Sequence, residues 1–460
     1  MAEREENRPN LEEENARLRA ENERLRAELE RLKRLLEEIR RGQKRQAAPF
    51  SKGTPKADPK QPGRKPGAGY GRRGHRLPPK WIDEVYPAPL PSGCPRCGGQ
   101  HLLHEATVPQ YQTEIPRRPN HRRFDVATGH CADCGARVQG RHPLQTSDAL
   151  GAAASQLGPD AQALATSLNK DMGLSHGKVA RVLAAFGIKL SRGGSAQVML
   201  RAAQRCGAAY KEIQIAVRKS AWVVPDETGW KVGGVLHWLH VFVTEQASLY
   251  LIRDSRGFDV GCEALGAEYA GHMIHDGWAP YDHFVHATHT QCNAHLLRRC
   301  TELEEQAQGA AVVFPRRVKE LLQAGLALRD RRDAGELVGA ALKGQITRLQ
   351  NTLQTLCAPI KSNPDNERLA KFLFHYLYEV FNYLRHPGTD ATNWRAEQGT
   401  RPAVVNRKVW GGSRTEVGAA AQGILMSVSG TARQSDKSFI EFLSTTLRAL
   451  QGQSPMLLSG

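Results

Sequence analysis

The sequence predicts a multidomain α/β chain with added all-helical segments, and three observations predict it. Residues 11 to 39 repeat every seven positions, two Cys-x-x-Cys pairs stand at 94 and 131, and the apolar period turns strand-like near residue 221 and helical again after 292. At 460 residues the chain is too long for one compact core, so two to four domains are expected.

The N-terminal repeat places Leu11, Leu18, Leu25, Leu32 and Ile39 at one core position, with Asn15, Asn22, Leu29 and Leu36 at the other. With the leucines at d, Glu14, Glu21 and Glu28 face Arg19, Arg26 and Lys33 of a parallel partner, and the two a-position Asn residues favour an in-register dimer. Residues 1–42 are therefore expected to form a homodimeric coiled coil; a lone surface helix is the plainer alternative.

Net charge is +17 and unevenly placed. Residues 40 to 80 hold thirteen Lys or Arg against the single acid Asp58, together with seven Pro and seven Gly. The segment 43–90 reads as a basic linker. Either it is simply solvated, or it is an arm that tracks phosphates, with Arg64, Lys65, Arg72 and Arg73 as candidate contacts. The sequence has no run of eighteen apolar residues and opens Met-Ala-Glu-Arg-Glu-Glu-Asn-Arg, without an apolar leader. This predicts a soluble cytoplasmic protein, nucleoid-associated if it binds DNA, with no membrane partner.

Nine cysteines is an odd count, and the close pairs suit a metal better than disulfides in a reducing compartment. Cys94-Pro-Arg-Cys97-Gly-Gly and Cys131-Ala-Asp-Cys134-Gly both have the knuckle form, since Gly after the second Cys lets backbone amides turn toward thiolates. Four Cys suit one structural, tetrahedral Zn²⁺, which predicts a zinc ribbon over 91–142. Arg117, Arg118, Arg122 and Arg123 lie between the pairs, facing DNA or only water. Cys206, Cys262, Cys300 and Cys357 are solitary and read as packing residues.

Residues 148 to 206 are Ala-rich with helical periodicity. A helix over 173–188 should stop at Gly187 and another begin near Ser191, a helix-turn-helix pattern within 143–215 whose second helix would contact DNA. A helical bundle without a ligand shares that pattern.

From 221 the strand period sets in, over 221–225, 235–244, 248–253 and 271–275. Asp226 and Asp276 follow two of these runs, where a strand is expected to end and open into a loop. Residues 292–385 are helical, with Leu321, Leu322, Leu326, Leu328, Phe372, Phe374, Leu377 and Phe381 as core candidates. Beyond them, Asn393, Glu397 and Arg401 at i, i+4 and i+8 share one helix face; a Glu397–Arg401 surface ion pair is the bland reading. Arg407, Lys408 and Arg414 are expected in a Gly-containing loop against a DNA backbone. Two Asp and one Glu supply hard oxygen ligands for two Mg²⁺ ions, the equipment of a nuclease or polynucleotidyl transferase.

The stretches Asp226-Glu-Thr-Gly-Trp-Lys-Val-Gly-Gly, Asp276-Gly-Trp-Ala-Pro-Tyr, Gln291-Cys-Asn-Ala-His-Leu-Leu-Arg-Arg and Asn393-Trp-Arg-Ala-Glu-Gln, followed by Arg401-Pro-Ala-Val-Val-Asn-Arg-Lys, resemble the DDE transposases of the bacterial insertion sequence sixty-six family. The order of segments resembles that family over nearly the whole chain. The resemblance implies an RNase H-like core in two parts, 216–310 and 389–460, split by a helical insertion at 311–388. It further implies that Asp226, Asp276 and Glu397 bind two Mg²⁺, for which Mn²⁺ substitutes. The expected partners are double-stranded DNA, both terminal inverted repeats and target, and accessory proteins of the same element. Cleavage at an element end would free a 3′-OH that attacks target DNA. Cys292 and His295 form a Cys-x-x-His similar to a motif shared by several DDE groups, and with Asn393 they are candidate accessory residues; a buried Cys and a capping His would look the same. A catalytically retired copy acting as a DNA-binding regulator is the alternative, and a structure-selective nuclease a third class. Three positions depart from the family pattern: His275, Glu416 and Gly399, the last costing about 1 kcal/mol of helix stability relative to Ala.

Overall fold

The structure, a computed structural model, describes residues 8–43, 78–115, 118–449 and 455–458. Arg64, Lys65, Arg72, Arg73 and Arg117 lie outside these residues. The chain divides into two compact units, Met1–Thr113 and Glu114–Gly460.

In the first unit, helix α1 runs Arg8–Gln43 over the predicted heptads. On this single chain Leu18, Leu25, Leu29 and Leu32 are 53 to 59% exposed, an apolar stripe along the helix. The loop at Cys94 closes as the spacing predicts, with Gly98 N–H donating to Cys94 O at 2.8 Å and Cys94 N–H to Gly99 O at 2.8 Å. Gly98 makes the turn at φ 74°.

The second unit opens with a small antiparallel hairpin, β1 (Thr128–His130) and β2 (Arg137–Gln139), whose tip carries the other Cys pair. Its turn repeats the first: Gly135 N–H donates to Cys131 O at 2.9 Å and Cys131 N–H to Ala136 O at 2.8 Å, with Gly135 at φ 70°. Four helices follow, α2 (Pro159–Lys170), α3 (His176–Ala185), α4 (Arg192–Arg205) and α5 (Gly207–Arg218). The helix break at Gly187 and the start at Ser191 are observed: Gly187 has φ 79°, and Ser191 Oγ caps α4 by accepting from Gly194 N–H at 2.9 Å.

The sheet contains β3 (Trp222–Val232), β4 (Val235–Val243), β5 (Ser248–Arg253), then, after α6 (Phe258–Leu265), β6 (His272–His275) and β7 (Thr288–Gln291). Its order is β5-β4-β3-β6-β7, with β3, β4 and β5 antiparallel to their neighbours and β3, β6 and β7 parallel. Strand β7 has no counterpart in the sequence reading, because Thr-His-Thr-Gln is short and polar. Strand β3 does not end at Asp226 as expected; it runs to Val232 because the β3–β4 hairpin pairs on through Val232↔Val235.

Residues beyond β7 are helical: α7 (Asn293–Gln306), α8 (Val313–Asp333), α9 (Gly339–Cys357) and α10 (Pro364–His375) share a separate core around Leu322, Leu328, Leu353, Leu369 and Phe381. Leu321, Leu326 and Phe372 pack at its margin, while Phe374, expected inside, is 50% exposed. The chain then returns to the sheet with α11 (Trp394–Trp410), α12 (Glu416–Gln434) and α13 (Phe439–Arg448).

Both faces of the sheet are covered, so its strands alternate between two apolar layers. Val223, Phe242, Leu249, Leu251 and Met273 face a core shared with α2 to α6 and with Leu425, Val428, Leu443 and Leu447 of α12 and α13. Val224, Trp230, Val241, Val243, Tyr250 and Ile274 face Ala396 and Ala403 of α11 and Met426 of α12. The helices at 159–218 are thus built into the same core as the sheet and the C-terminal helices.

Candidate active site

Register and alternation bring two of the predicted acids together. In the parallel pair β3 and β6, Trp222 is opposite His272 and Val223 opposite Met273. Counting on, Asp226 and Asp276 stand at the same level, three residues past the last paired position. Both share the parity of Val224 and Ile274, whose side chains face α11. Pairing of β3 with β6 stops at Val223, so the two carboxylates lie just beyond the parallel pairing, at the carboxyl end of β6 and beside the sheet's change of strand direction, the region where open α/β sheets bind ligands.

Helix α11 supplies the third acid. Thr400 Oγ lies 3.3 Å from Asp226 Oδ2 and 3.0 Å from Glu397 O, so Glu397 is one helical turn from the residue that touches Asp226. The close approach needs Gly399: a Cβ there would stand 3.2 Å from Val243 Cγ2 and 3.3 Å from Val241 Cγ2, and Tyr250 O–H donates to Gly399 O at 2.9 Å. The helix-propensity cost expected of this glycine therefore has a packing reason. The Glu397–Arg401 ion pair, the plainer alternative for this helix face, is not what Glu397 makes. Its Oε1 approaches His295 Nε2 at 3.8 Å and an Arg298 nitrogen at 3.9 Å, both on α7. Asn393 does not share the exposed face of Glu397 either; it is the buried N-cap residue of α11. Cys292 S–H donates to Asn393 Oδ1 at 3.1 Å while Asn393 N–H donates to Cys292 Sγ at 3.3 Å. Burial raises the Cys292 pKa, so the thiol stays protonated and joins the start of α7 to the start of α11.

The Asp276 loop is held by neutral histidines. His289 Nε2 is 3.0 Å from Phe284 O, an acceptor only, so the proton sits on Nε2 and His289 Nδ1 accepts from His275 Nε2 at 3.0 Å. His275 Nδ1 then accepts Gly277 N–H at 3.2 Å, and burial pushes the His275 pKa down to about 3, so the relay is uncharged. Gly277 turns at φ 83°, where a Cβ would meet Phe372 Cζ at 2.7 Å. The His275 departure thus buys the loop a fixed geometry.

Burial, then the neighbouring Glu227, and to a lesser degree Asp276, raise the Asp226 pKa to about 7, against the hydrogen bonds it accepts from Glu227 N–H and Thr400. Carboxylates crowded this way without a cation are what a hard divalent ion would relieve, and the all-oxygen donor set suits Mg²⁺ or Mn²⁺. Among the described residues, no group of three or more His, Cys, Asp or Glu side chains is gathered at ion-binding spacing. Glu397 is turned toward α7.

A family comparison adds to this geometry: the model described as Transposase IS66 family matches residues 155–421, well over half of the chain. The chain belongs to the IS66 transposase family. Among curated proteins none matches it. The family match takes in all three acids of this transposase and the helices between them, and leaves α1 and both Cys pairs outside.

On the sheet face opposite Asp226, the transposase has a cluster that the sequence reading missed. Glu227, whose side chain is only 3% exposed, accepts from Arg256 Nε at 2.8 Å and from Tyr281 O–H at 3.0 Å. The Arg256 guanidinium lies 3.7 Å from the Trp278 ring centroid and 4.8 Å from that of Trp238. Trp278 Nε1–H donates back to Arg256 O at 3.2 Å. The residue after Asp226 is thereby tied to a residue two past Asp276. The signal was present in Asp-Glu-Thr and Asp-Gly-Trp-Ala-Pro-Tyr, but its partner Arg256 lies in an ordinary Ser-Arg-Gly loop.

The other predicted residues are placed as follows. Arg407 and Lys408 lie in the last turn of α11, not in the loop after it, because the helix continues to a left-handed Gly411 at φ 86°. Arg407 donates to Thr228 Oγ at 3.1 Å and to Gly229 O, bracing the β3–β4 hairpin. Arg414 is in the loop. Arg123 pairs with Asp125 at 2.9 Å on the surface, beside exposed Arg118 and Arg122. Glu416, unusual for the family, opens α12 and lies 3.3 Å from His237 Nε2. Cys94 and Cys131 both have lowered pKa values, Cys94 through the amides of Arg96 and Cys97, Cys131 through those of Cys134 and Asp133. Cys206, Cys300 and Cys357 are buried, and Cys262 is partly so.

Proposed function

We propose that this transposase cuts DNA at the ends of its element and joins the freed 3′-OH to target DNA, with Asp226, Asp276 and Glu397 holding two divalent ions. The observation that carries the reading is the in-register placement of Asp226 and Asp276 beside β3 and β6, with Thr400 coupling Asp226 to the Glu397 turn. The strand order and directions support an RNase H-like core. When bound, Mg²⁺ or Mn²⁺ supplies Lewis acidity and charge neutralisation at the scissile phosphate. The chain's own part is to hold the carboxylates. The Glu227–Arg256–Trp278 cluster ties the β3 segment at Asp226 to the Asp276 loop, and the Cys292–Asn393 pair fixes the start of α11. His295 and Arg298 offer donors beside Glu397, whose carboxylate must leave them to join the two Asp residues.

Cys94, Cys97, Cys131 and Cys134 are proposed to hold one structural Zn²⁺, supported by two turns of the same knuckle geometry whose amides favour thiolates. The exposed leucine stripe of α1 supports a parallel homodimer. Arg118, Arg122, Arg123, Arg401, Lys408 and Arg414 are proposed DNA contacts, with the basic linker as a phosphate-tracking arm and accessory proteins of the element as further partners. No helix among the described residues is long and apolar enough to cross a membrane, and a cytoplasmic, nucleoid-associated protein is proposed.

The test is incubation of purified protein and Mg²⁺ with labelled duplexes carrying the inverted repeats that flank its gene, with scrambled ends and Glu397→Gln as controls. End-specific nicking lost in the variant is expected. Binding without nicking under all metal conditions would favour a retired copy acting as a regulator, and nicking of any sequence a generic nuclease. A regulator confined to residues 1–206 is disfavoured by packing, because the helices at 159–205 share their core with Leu425, Leu443 and Leu447.

A further inference from the structure

The exposed residues of α11 are Trp394, Glu397, Gln398, Arg401, Val405, Lys408 and Val409, and five of them, Trp394, Glu397, Arg401, Val405 and Lys408, follow one another at spacings of three or four. Trp394 is its first member and the least expected. An indole is a large apolar group, yet this one is 40% exposed. It is also held in place. The Arg395 guanidinium lies 4.9 Å from the Trp394 ring centroid and 5.4 Å from that of Trp222, and Arg395 Nε donates to Asp390 Oδ2 at 2.6 Å. The residue before it, Asn393, is locked to Cys292. Part of a fixed aromatic group is therefore presented to solvent one turn before Glu397, with cations further along: the Arg298 side chain is 58% exposed, Arg401 is exposed two turns on, and Lys408 is exposed about 21 Å along the helix.

A fixed, exposed indole among cations matches the chemistry of a nucleobase joined to phosphates. Three residues of helix advance about 4.5 Å, the length of one to two stacked nucleotides at about 3.4 Å each. We infer that Trp394 is a stacking platform for one unpaired base, one or two nucleotides from the phosphate that Glu397 serves, and so selects ends whose terminal pairs open readily. This rests on the cleavage reading above and adds to it a ligand, an unstacked base, and the residue that binds it.

The experiment is an abasic scan. Full-length protein in buffer without Mg²⁺ or Mn²⁺ and without chelator, so that no cutting intervenes and any structural zinc stays bound, is titrated with end duplexes in which each of the last four nucleotides of either strand is replaced in turn by an abasic site. Wild-type protein should lose about tenfold in affinity at one position, the equivalent of about 1.4 kcal/mol of stacking. Trp394→Leu, which keeps an apolar side chain but no π face, should bind intact ends about tenfold more weakly and be indifferent to that abasic site; Trp394→Phe should keep most of the discrimination. Matching melting curves for the variants exclude misfolding as the cause. Identical abasic profiles for wild-type and Trp394→Leu would overturn the platform while leaving the cleavage reading intact. Failure of wild-type protein to prefer its own ends to scrambled ones would overturn both.

Discussion

Replacing Asp226 by Asn should make the metal-free protein more stable above neutral pH while removing its response to divalent cations. The pKa of Asp226 rises from 3.8 to about 7, first through burial and then through Glu227. The unfolded chain releases this proton near pH 4 and the folded chain near pH 7, so between them the folded state holds more protons. Stability therefore falls as pH rises through that window and is level above it. A rise from 3.8 to about 7, at about 1.4 kcal/mol per pH unit, sets a ceiling of about 4 kcal/mol on the penalty. The Asp226→Asn amide retains both local partners: its oxygen accepts from Glu227 N–H, now at 2.9 Å, and its NH₂ donates to Thr400 Oγ, now at 3.3 Å, while the Thr400 proton goes to Glu397 O. Urea unfolding in EDTA should show the variant ahead of wild type by up to about 4 kcal/mol at pH 8 and level with it near pH 4. Adding Mg²⁺ or Mn²⁺ at pH 8 should raise wild type toward or past the variant and leave the variant unchanged. A variant no more stable than wild type at pH 8 in EDTA, or a gap that does not change between pH 4 and 8, would refute the reasoning.

Arg256→Ala should destabilise the protein by about 3 kcal/mol in thermal melts, because it leaves Glu227 buried without its cation, and Arg256→Lys should recover only part, lacking the planar stack on Trp278. Gly399→Val should cost about 1–3 kcal/mol by overpacking against Val241 and Val243, where even a Cβ stands at 3.2–3.3 Å, and should lower any metal-dependent nicking by displacing the Glu397 turn. Elemental analysis should find one zinc per chain, lost in Cys94→Ser and in Cys131→Ser; native protein without zinc would end the ribbon proposal. Removing residues 1–42 should convert a dimer to a monomer in light scattering at micromolar protein.

Elements governed by local rules were legible in the sequence. The heptads give α1, the Gly after each Cys pair gives both turns, Ser191 gives the start of α4, and the alternation at 235–243 and 248–253 gives β4 and β5. Less legible were features whose cause lies elsewhere in the chain. Strand β7 is polar and exists because β6 offers it an edge. Asp226 lies inside a strand because β4 continues the pairing past it. Arg407, expected in a loop, sits on α11 and sets one guanidinium nitrogen on the β3–β4 hairpin, while Arg256 reads as a loop residue and is the counter-ion of Glu227.

The sequence by itself determined which side chains are available: three acids in family-like contexts, two Cys knuckles, a leucine stripe and a basic linker. It did so because composition, spacing and capping act within a few residues. Only the tertiary structure decided which of them meet. The shared level of Asp226 and Asp276 follows from the register of β3 on β6, and the nearness of Glu397 from a glycine that lets α11 touch the sheet. Register and helix-to-sheet distance are set by packing between segments up to about 175 residues apart, and no local pattern encodes them.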